Sequence, residues 1–390
     1  MTEAALLEET VGILRDLIAF PTVSSDGNLE LILHINEMLK SVGARTDIQV
    51  DGSGAKANLF ATLGPEIDGG IILSGHTDVV PVADQAWSSD PFVMTERDGR
   101  LYGRGACDMK GFVAATLAMA PRFAASALAR PVHFAFTYDE EVGCLGGRAL
   151  MERLSEAPVK PAVAIIGEPT EMRVVEAHKG CYEYTVSFEG LEGHGATPDR
   201  CVNAVEYAVR YVAKLMALGD ALKARAPAGS PFEPPWTTVS VGRLSGGVAH
   251  NVVPARATVD WEMRPVQGSD ANLVKTELAA FVETELAPAM RAVHADASIT
   301  TEVIGEVVGL EPAEASEAAR IVSELTGDEA RRAVSFGTEA GLFQGVGISA
   351  VVCGPGSIDQ AHKPDEYVSR DQLGQAIGML RGLEDRLRAP

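Results

Sequence analysis

Four short apolar runs constrain the fold of this chain most, because each is followed by residues that can bind a metal ion. Apolar, β-branched runs of this length are typical of parallel strands that are covered on both faces. In open α/β sheets, ligands collect at the carboxyl ends of such strands. Imidazoles and carboxylates that converge there are costly to bury unless a cation pairs with them, so the pattern predicts a metal-dependent hydrolase. The runs occupy residues 71–75, 132–137, 162–167 and 350–353, and they lead to His76, to Glu140 and Glu141, to Glu168 and, through a Gly/Pro turn, to His362.

The composition narrows the class of partner and the compartment. With 390 residues the chain is too long for one ordinary core, so two domains are expected. The formal net charge of −21 argues against nucleic acid or an anionic membrane as a partner. It suits a positively charged substrate, although a general contribution to solubility is the simpler explanation. Five scattered cysteines without a CxxC pair favour reduced thiols, and the N-terminus lacks the pattern of a secretory signal, so a soluble, cytoplasmic protein is expected.

The order of predicted elements indicates a smaller domain inserted into a larger one. Helical and strand patterns alternate up to about residue 176, with helices over 5–19, 28–42, 110–124 and 145–154, which is typical of a doubly wound α/β layer. After Gly180 the order becomes β-α-β-β-α-β, the ferredoxin-like arrangement. Its elements are predicted over 181–190, 201–218, 236–245, 255–264, 270–288 and 298–305. A helix over 312–326 and the strand before His362 then resume the α/β pattern. We therefore predict a catalytic domain over 1–176 and 307–390 and an inserted α+β domain over 177–306.

The candidate ligands favour two metal ions over one. Two imidazoles and three carboxylates carry too much negative charge for a single closed tetrahedral site, whereas two cations that share one carboxylate divide them evenly. Asp108 is the natural bridge, because it lies in a glycine-rich turn (residues 103–111) that opens an apolar helix; the alternative is that Asp108 simply caps that helix. The ligand set is His76, Asp108, Glu141, Glu168 and His362.

Two further carboxylates have candidate roles beside the ligands. Asp78 follows His76 by two positions, which in an extended chain puts both side chains on one face, so Asp78 is expected to hold the second imidazole nitrogen. Glu140 and Glu141 are adjacent carboxylates that repel each other unless they do different jobs. We expect Glu141 to bind metal and Glu140 to act as general base, with a solvated acidic turn as the alternative.

Five motifs in order along the chain resemble one family, the co-catalytic dizinc amidohydrolases. They are SGHTDVVP (74–81), GRGACDMKG (103–111), TYDEEVGCLGG (137–147), IGEPTEM (166–172) and QAHKPDEY (360–367). The resemblance implies a zinc-exopeptidase-like catalytic domain with an inserted lid and dimerisation domain. It also implies two Zn²⁺ per subunit, with Co²⁺ or Mn²⁺ as possible substitutes. His76 and Glu168 would hold one ion, Glu141 and His362 the other, with Asp108 bridging, Glu140 as base and Asp78 orienting His76.

The same resemblance assigns residues in the inserted domain. His194 lies in GHGATP (193–198) and would reach the scissile carbonyl of the partner subunit in a homodimer; Gly195 stands where Ser is more usual. Asn251 lies in GGVAHNVVP (246–254) and would contact the substrate or its oxyanion. Arg264 would bind the substrate's α-carboxylate, for which a bidentate guanidinium is suited. The alternatives are that His194 and Arg264 are surface residues.

Two stretches narrow the expected substrate. Residues 336–343 (FGTEAGLF) and 353–367 resemble the branch of the family that removes acetate from N2-acetyl-L-ornithine. Glu339 in the first stretch could pair with the cationic δ-ammonium of that substrate; a structural Glu at a helix start is the alternative. Other N-acyl amino acid hydrolases, such as a desuccinylase, an aminoacylase or a dipeptidase, remain possible functions, as does a catalytically inactive metal-binding interaction module.

Overall fold

The computed structural model describes residues 2–388, which form two compact units. The first unit holds the residues up to Ala177, Pro312–Arg332 and the residues from Thr338 onward. The second, which we call the inserted unit, holds His178–Glu311 and Ala333–Gly337. Compared with the expected 177–306, the inserted unit runs further, because its last strand continues to Val307 and Leu310 then forms a β-bridge with His178.

The helices and strands are numbered in chain order. The α-helices are α1 (Glu3–Ile18), α2 (Leu29–Ser41), α3 (Lys110–Ala125), α4 (Leu145–Glu156), α5 (Ala204–Lys223), α6 (Gly268–Phe281), α7 (Ala287–Arg291), α8 (Glu317–Thr326), α9 (Ala340–Gly345) and α10 (Arg370–Leu387). The strands are β1 (Arg45–Val50), β2 (Ala57–Leu63), β3 (Ile71–His76), β4 (Thr95–Arg97), β5 (Arg100–Tyr102), β6 (Val132–Thr137), β7 (Val163–Pro169), β8 (Ala177–His178), β9 (Cys181–Glu189), β10 (Gly193–His194), β11 (Thr238–Gly246), β12 (Val252–Val253), β13 (Arg256–Arg264), β14 (Ser298–Val307), β15 (Ala333–Val334), β16 (Ser349–Gly354) and β17 (Tyr367–Ser369). Among the described residues, none of the helices has the length and apolar character that a membrane crossing needs.

The first unit is built around a six-stranded sheet with the order β1-β2-β6-β3-β7-β16. The last four strands are the apolar runs singled out in the sequence, and each lies parallel to its neighbours among them. Every residue of β3, β6 and β7 is buried, as expected for strands covered on both faces. The prediction of adjacent parallel strands is confirmed. The antiparallel strands β1 and β2, which extend the sheet at one edge, were not predicted.

Helices cover this sheet in two groups. In one group α1, α3 and α10 pack against one another, with α2 and α8 beside them; in the other, α4 packs against α9. Helix α3 is the most buried of the first group, since all its side chains from Lys110 to Ala120 are shielded from solvent. This packing belongs to the mixed α/β class, as predicted.

The inserted unit contains a four-stranded antiparallel sheet with the order β11-β13-β9-β14. Its main elements follow one another as β9-α5-β11-β13-α6-β14, which is the predicted β-α-β-β-α-β order. Helix α5 packs on β9, β11 and β13, and the unit has a hydrophobic core of its own around Phe188, Val259 and Trp261.

Three predicted helices differ clearly from those observed, and a capping side chain explains two of the differences. Helix α5 begins at Ala204 rather than 201, because Asn203 caps it by accepting a hydrogen bond from the Glu206 N–H at 3.3 Å. Helix α8 begins at Glu317 rather than 312, because the Ser316 hydroxyl accepts from the Ala319 N–H at 3.1 Å. The helix predicted over 270–288 is α6, followed by a π-helical turn over Val282–Leu286 and then α7.

Candidate metal centre

The carboxyl ends of the parallel strands hold the predicted ligands. His76 is the last residue of β3 and Glu168 lies near the end of β7. Glu141 follows the end of β6, and His362 follows the end of β16. Asp108 precedes α3, whose first turn is held near the sheet by its buried apolar face. The parallel pairing of the strands therefore brings together side chains that are far apart in sequence.

The five predicted ligands form two groups that share Asp108. In the first group the His76 Nε2 atom lies 2.9 Å from Asp108 Oδ1 and 3.7 Å from Glu168 Oε1, and all three residues are buried. In the second, the His362 Nε2 atom lies 3.4 Å from Asp108 Oδ2 and 3.0 Å from Glu141 Oε2. Each oxygen of Asp108 thus faces a different histidine, which is the arrangement that a bridging carboxylate between two cations needs.

Asp78 orients its neighbours differently from our expectation. The Nδ1 atom of His76 lies 2.9 Å from the backbone carbonyl oxygen of Asp78 and 3.6 Å from the nearer carboxylate oxygen. The Asp78 carboxylate instead accepts hydrogen bonds from the backbone N–H groups of Glu140 at 3.1 Å and Glu141 at 3.4 Å, and from the Ser24 hydroxyl at 2.7 Å. Asp78 therefore fixes His76 through its main chain and the Glu140–Glu141 turn through its side chain.

Glu140 lies next to the ligands but belongs to neither group. Its Oε1 atom is 3.6 Å from the sulfur of Cys144, a buried thiol at the start of α4. Burial raises the pKa of Glu140 well above its usual value; His76 opposes this effect, whereas Glu141 adds to it. A carboxylate with a raised pKa beside a metal centre is suited to accept a proton from water and to release it again.

In the inserted unit, His194 and Asn251 are brought together. Strand β10 pairs with β12, so that His194 lies opposite Val252. The Gly195 N–H donates a hydrogen bond to the Asn251 carbonyl at 2.9 Å, and a Cβ atom at Gly195 would come within 3.1 Å of that oxygen. A side chain at this position would therefore require the Asn251 backbone to give by a few tenths of an ångström. The His194 and Asn251 side chains are both exposed to solvent.

Arg264 lies at the far end of β13 from this pair, since β13 begins at Arg256, close to β12. Its guanidinium donates two hydrogen bonds to the Glu262 carboxylate, at 3.0 and 2.7 Å. Burial lowers the pKa of Arg264, but the Glu262 hydrogen bonds outweigh it, and the net shift is upward. Arg264 and Glu262 are two positions apart in the strand, so their side chains lie on the same face of the sheet.

Known proteins resemble this chain in sequence and in fold. The model of peptidase family M20/M25/M40 matches residues 72–384. The chain belongs to this family. An acetylornithine deacetylase from Pasteurella multocida (strain Pm70) is 35% identical over 378 residues, which cover 93% of this chain and 96% of that protein.

Solved structures of two peptidases have the same fold. The M20 family metallo-carboxypeptidase Sso-CP2 from Sulfolobus solfataricus aligns with a TM-score of 0.75 at 18% identity, over 96% of this chain and 98% of that one. The aminopeptidase PepT from Bacillus cereus aligns with a TM-score of 0.71 at 17% identity, over 98% of both chains. At these identities the likeness concerns the fold alone.

As an M20 family member, the chain is a metal-dependent amidohydrolase, and its buried charges fit that class. Hydrogen bonds with Asp108 and Glu141 raise the pKa of His362 to about 10. Burial lowers the pKa of His76, but hydrogen bonding to Asp108 and the charge of Glu168 outweigh it, and the pKa lies well above its usual value. Positive charge is therefore favoured at two positions, one on each side of Asp108, as a pair of divalent cations would require.

The pKa values of the three carboxylates in the candidate centre shift in different directions. Burial raises the pKa of Glu168 well above its usual value and that of Glu141 to about 7, and the charge of Asp108 adds to both shifts. Asp108 is the exception. Burial raises its pKa, but hydrogen bonds from His362 and His76 more than offset this and keep the pKa low. Asp108 is thus the most firmly ionised member of the centre.

Glu339 is completely buried in the first unit, with 1% of its surface exposed, at the start of α9. Its Oε1 atom lies against Gly147, where a Cβ atom would come within 2.5 Å of it. Burial raises the pKa of Glu339 to about 7, and the Thr137 side chain opposes this shift only in part. The surroundings are those of an interior residue, and the predicted contact with a substrate ammonium stays a prediction.

Sequence reasoning missed Arg104 and Glu366, which form a fully buried ion pair with the Nη1 and Oε2 atoms 2.7 Å apart. Both lie in motifs that were noted for their ligands, Arg104 before Asp108 and Glu366 after His362. The sequence does show a positive residue near Asp108 and a negative residue near His362. It does not show that these two residues form an ion pair.

Proposed function

We propose that this protein hydrolyses the amide bond of N2-acetyl-L-ornithine to give L-ornithine and acetate. The observation that carries the proposal is the pair of ligand groups that share Asp108, with Glu140 beside them and outside both groups. The choice of substrate rests on the acetylornithine deacetylase that is 35% identical over most of the chain. Such a reaction would supply ornithine for arginine synthesis, and a cytoplasmic location is part of this proposal.

We propose two zinc ions per chain. His76 and Glu168 would hold one ion and Glu141 and His362 the other, with Asp108 between them. Three carboxylates and two neutral imidazoles offset most of the charge of two divalent cations and leave room for water, and cobalt or manganese would suit the same donor set. When bound, the ions would polarise the amide carbonyl and make the attacking water more acidic.

The protein's own residues then move the proton and stabilise the developing charge. Glu140 takes a proton from the attacking water and returns it to the amine nitrogen as the C–N bond breaks. His194 and Asn251 are proposed to stabilise the oxyanion that develops on the amide oxygen. Arg264 is proposed to bind the substrate's α-carboxylate in a bidentate manner, which requires it to exchange Glu262 for the substrate.

We propose that the chain forms a homodimer through the inserted unit, so that His194 serves the partner's site. Strand β11 is an edge of the four-stranded sheet, and α5 packs beside it. On α5, Val209 is 49% and Met216 is 63% exposed. Their spacing of two helical turns places both on one apolar strip next to an unpaired strand edge, a combination that is typical of a surface covered by a partner.

A panel of substrates assayed with the zinc-loaded protein tests the function. We expect the highest kcat/KM for N2-acetyl-L-ornithine, followed by N-acetylmethionine, with N-succinyl-diaminopimelate and dipeptides much lower. A preference for the succinylated compound or for a dipeptide would change the proposed substrate but not the proposed hydrolysis of an amide bond. No hydrolysis of any compound by protein with bound metal would instead favour an inactive metal-binding module.

A further inference from the structure

The carboxylate of Glu366 is the most completely engaged acidic group next to the metal centre. The residue is 1% exposed. Its Oε2 atom accepts hydrogen bonds from Arg104 Nη1 at 2.7 Å and from the Gly105 N–H at 3.1 Å. Its Oε1 atom accepts from the N–H groups of Cys107 at 2.8 Å and Asp108 at 3.0 Å. Both oxygens are therefore used, and all four partners are donors.

These hydrogen bonds fix the backbone that carries the shared ligand. Three of the four donors are main-chain groups of the turn that ends at Asp108, and one of them is the N–H of Asp108 itself. A carboxylate held in a ring of N–H groups orients the whole turn, because each hydrogen bond constrains a different peptide plane.

The same carboxylate joins this turn to the segment that carries His362. Glu366 follows His362 closely in the chain, and Arg104 also donates to the Lys363 carbonyl at 3.3 Å. Gln85 completes the link, since it accepts from Arg104 Nη2 at 2.5 Å and donates to the His362 carbonyl at 3.0 Å. Two ligand-bearing segments that are distant in sequence thus meet at one buried ion pair.

Burying a carboxylate at this position costs free energy that a well-packed apolar side chain would not cost. Glu366 is buried, and it lies next to another buried carboxylate, Asp108, which repels it. A buried ion pair such as Arg104–Glu366 contributes little net stability compared with well-packed apolar residues. Its geometry, by contrast, is well suited to hold the turn in one conformation.

We propose that Glu366 is the positioning residue for Asp108, holding the turn so that the two oxygens of Asp108 face His76 and His362. The proposal rests on the two-cation centre proposed above. Substitution of Glu366 should therefore act on metal affinity and only through it on turnover, since residues that orient ligands typically contribute 10- to 100-fold in affinity.

The variant Glu366→Gln tests this role with little change of shape. Whichever way the amide is oriented, its NH₂ group faces N–H donors in place of an acceptor, so the turn must shift. We expect the dissociation constant for zinc, measured by competition with a chromogenic chelator, to rise by about 10- to 100-fold for at least one of two ions per chain. Added zinc should restore part of the lost kcat.

Glu384→Gln is a matched control. Glu384 is also 1% exposed, and its carboxylate accepts hydrogen bonds from Arg122 at 2.7 Å and from the Ser126 hydroxyl at 2.7 Å, as well as from Arg388. Glu384 lies in α10, and none of these hydrogen-bond partners is a candidate metal ligand. Glu384→Gln should lower the Tm of the metal-free protein, as Glu366→Gln should, while its zinc affinity stays within about twofold of the wild type.

Wild-type zinc affinity in folded Glu366→Gln would overturn the proposal, and so would an equal loss of affinity in Glu384→Gln. If Glu366→Gln does not fold, Arg104→Lys decides, because it keeps the charge but removes the planar fork. Weaker zinc binding by Arg104→Lys supports the positioning role, and unchanged binding refutes it. Wild-type protein that binds fewer than two ions per chain would contradict the two-cation centre itself. That result differs from a failure of the Glu366 or Arg104 tests, in which the wild type binds two ions.

Discussion

Glu140 and Glu141 are neighbours in the chain, yet their side chains have different surroundings. Glu141 contacts His362, with 3.0 Å between the Oε2 and Nε2 atoms, whereas Glu140 lies beside Cys144 and belongs to neither ligand group. A turn held by Asp78 points the two carboxylates in different directions. This difference supports separate roles for them, one as ligand and one as base.

The division of roles predicts distinct losses. Glu140→Ala should lower kcat by roughly 10²–10⁴ or more and leave the zinc content near two per chain, because the base is not a ligand. Glu141→Ala is the comparison and should lose zinc. Acetate release and metal analysis of dialysed protein measure the two effects. Loss of metal from Glu140→Ala would show that the roles are assigned the wrong way round.

Glu339 allows a test of substrate choice. If its carboxylate pairs with the δ-ammonium, Glu339→Gln should reduce kcat/KM for N2-acetyl-L-ornithine about 5- to 150-fold more than for N-acetylmethionine, whose side chain is uncharged. Arg264→Lys is the control and should reduce both similarly, because both substrates have the α-carboxylate. Equal losses from Glu339→Gln would make Glu339 a structural residue.

At the scale of elements, α5 and β11 form the surface that we assign to the dimer, while β14 forms the other edge of the same sheet. Met216→Glu on α5 should therefore convert the dimer to a monomer, since a charge on an apolar contact is costly to bury. Val303→Glu on β14 is a matched control, because Val303 is 53% exposed. Light scattering coupled to size-exclusion chromatography gives the mass. Dissociation by Val303→Glu alone would move the interface to β14, and a monomeric wild type would exclude the dimer.

At the scale of the whole molecule, the assignment of His194 requires a site shared between subunits. His194→Ala and Glu140→Ala should each be nearly inactive alone, because one lacks the oxyanion donor and the other the base. Mixed and allowed to exchange subunits, they should regain activity, since some sites then have an intact base and an intact partner histidine. If heterodimers form, as verified by mass, and stay inactive, His194 does not act in the partner's site.

We expect metal binding to be coupled to pH, and this coupling belongs to the molecule as a whole. In the metal-free fold, the raised pKa of His362, about 10, contributes stability that is fully present below its ordinary value of 6.5 and is lost as pH rises through 10. Glu141, with its pKa raised from 4.5 to about 7, likewise loses its contribution as pH rises through 7. Bound zinc would replace these protons, so the gain in Tm on adding zinc should grow from pH 6 to pH 9.

Calorimetric titration with zinc at pH 7 in buffers of different ionisation enthalpy checks this coupling, and we expect release of about one proton or more per chain. The buried His133 and His178, whose pKa values burial lowers to about 4, shift stability with pH in the opposite sense. Their contribution to stability is the same with and without zinc. The difference in Tm between the two forms therefore reports on the metal centre alone. A zinc-induced gain in Tm that does not change with pH would contradict the coupling.

The amino-acid sequence by itself determined the four parallel strands, the ferredoxin-like insertion and all five candidate ligands. These features rest on local periodicity and on the chemistry of side chains at strand ends, which neighbouring residues specify. The tertiary structure decided the rest. It decided that β1 and β2 extend the sheet in the antiparallel sense, that Asp78 holds His76 through its carbonyl, that Glu339 is interior and that Glu366 meets Arg104. Each of these depends on how segments distant in sequence pack, because only packing sets which atoms of two residues come within hydrogen-bonding distance.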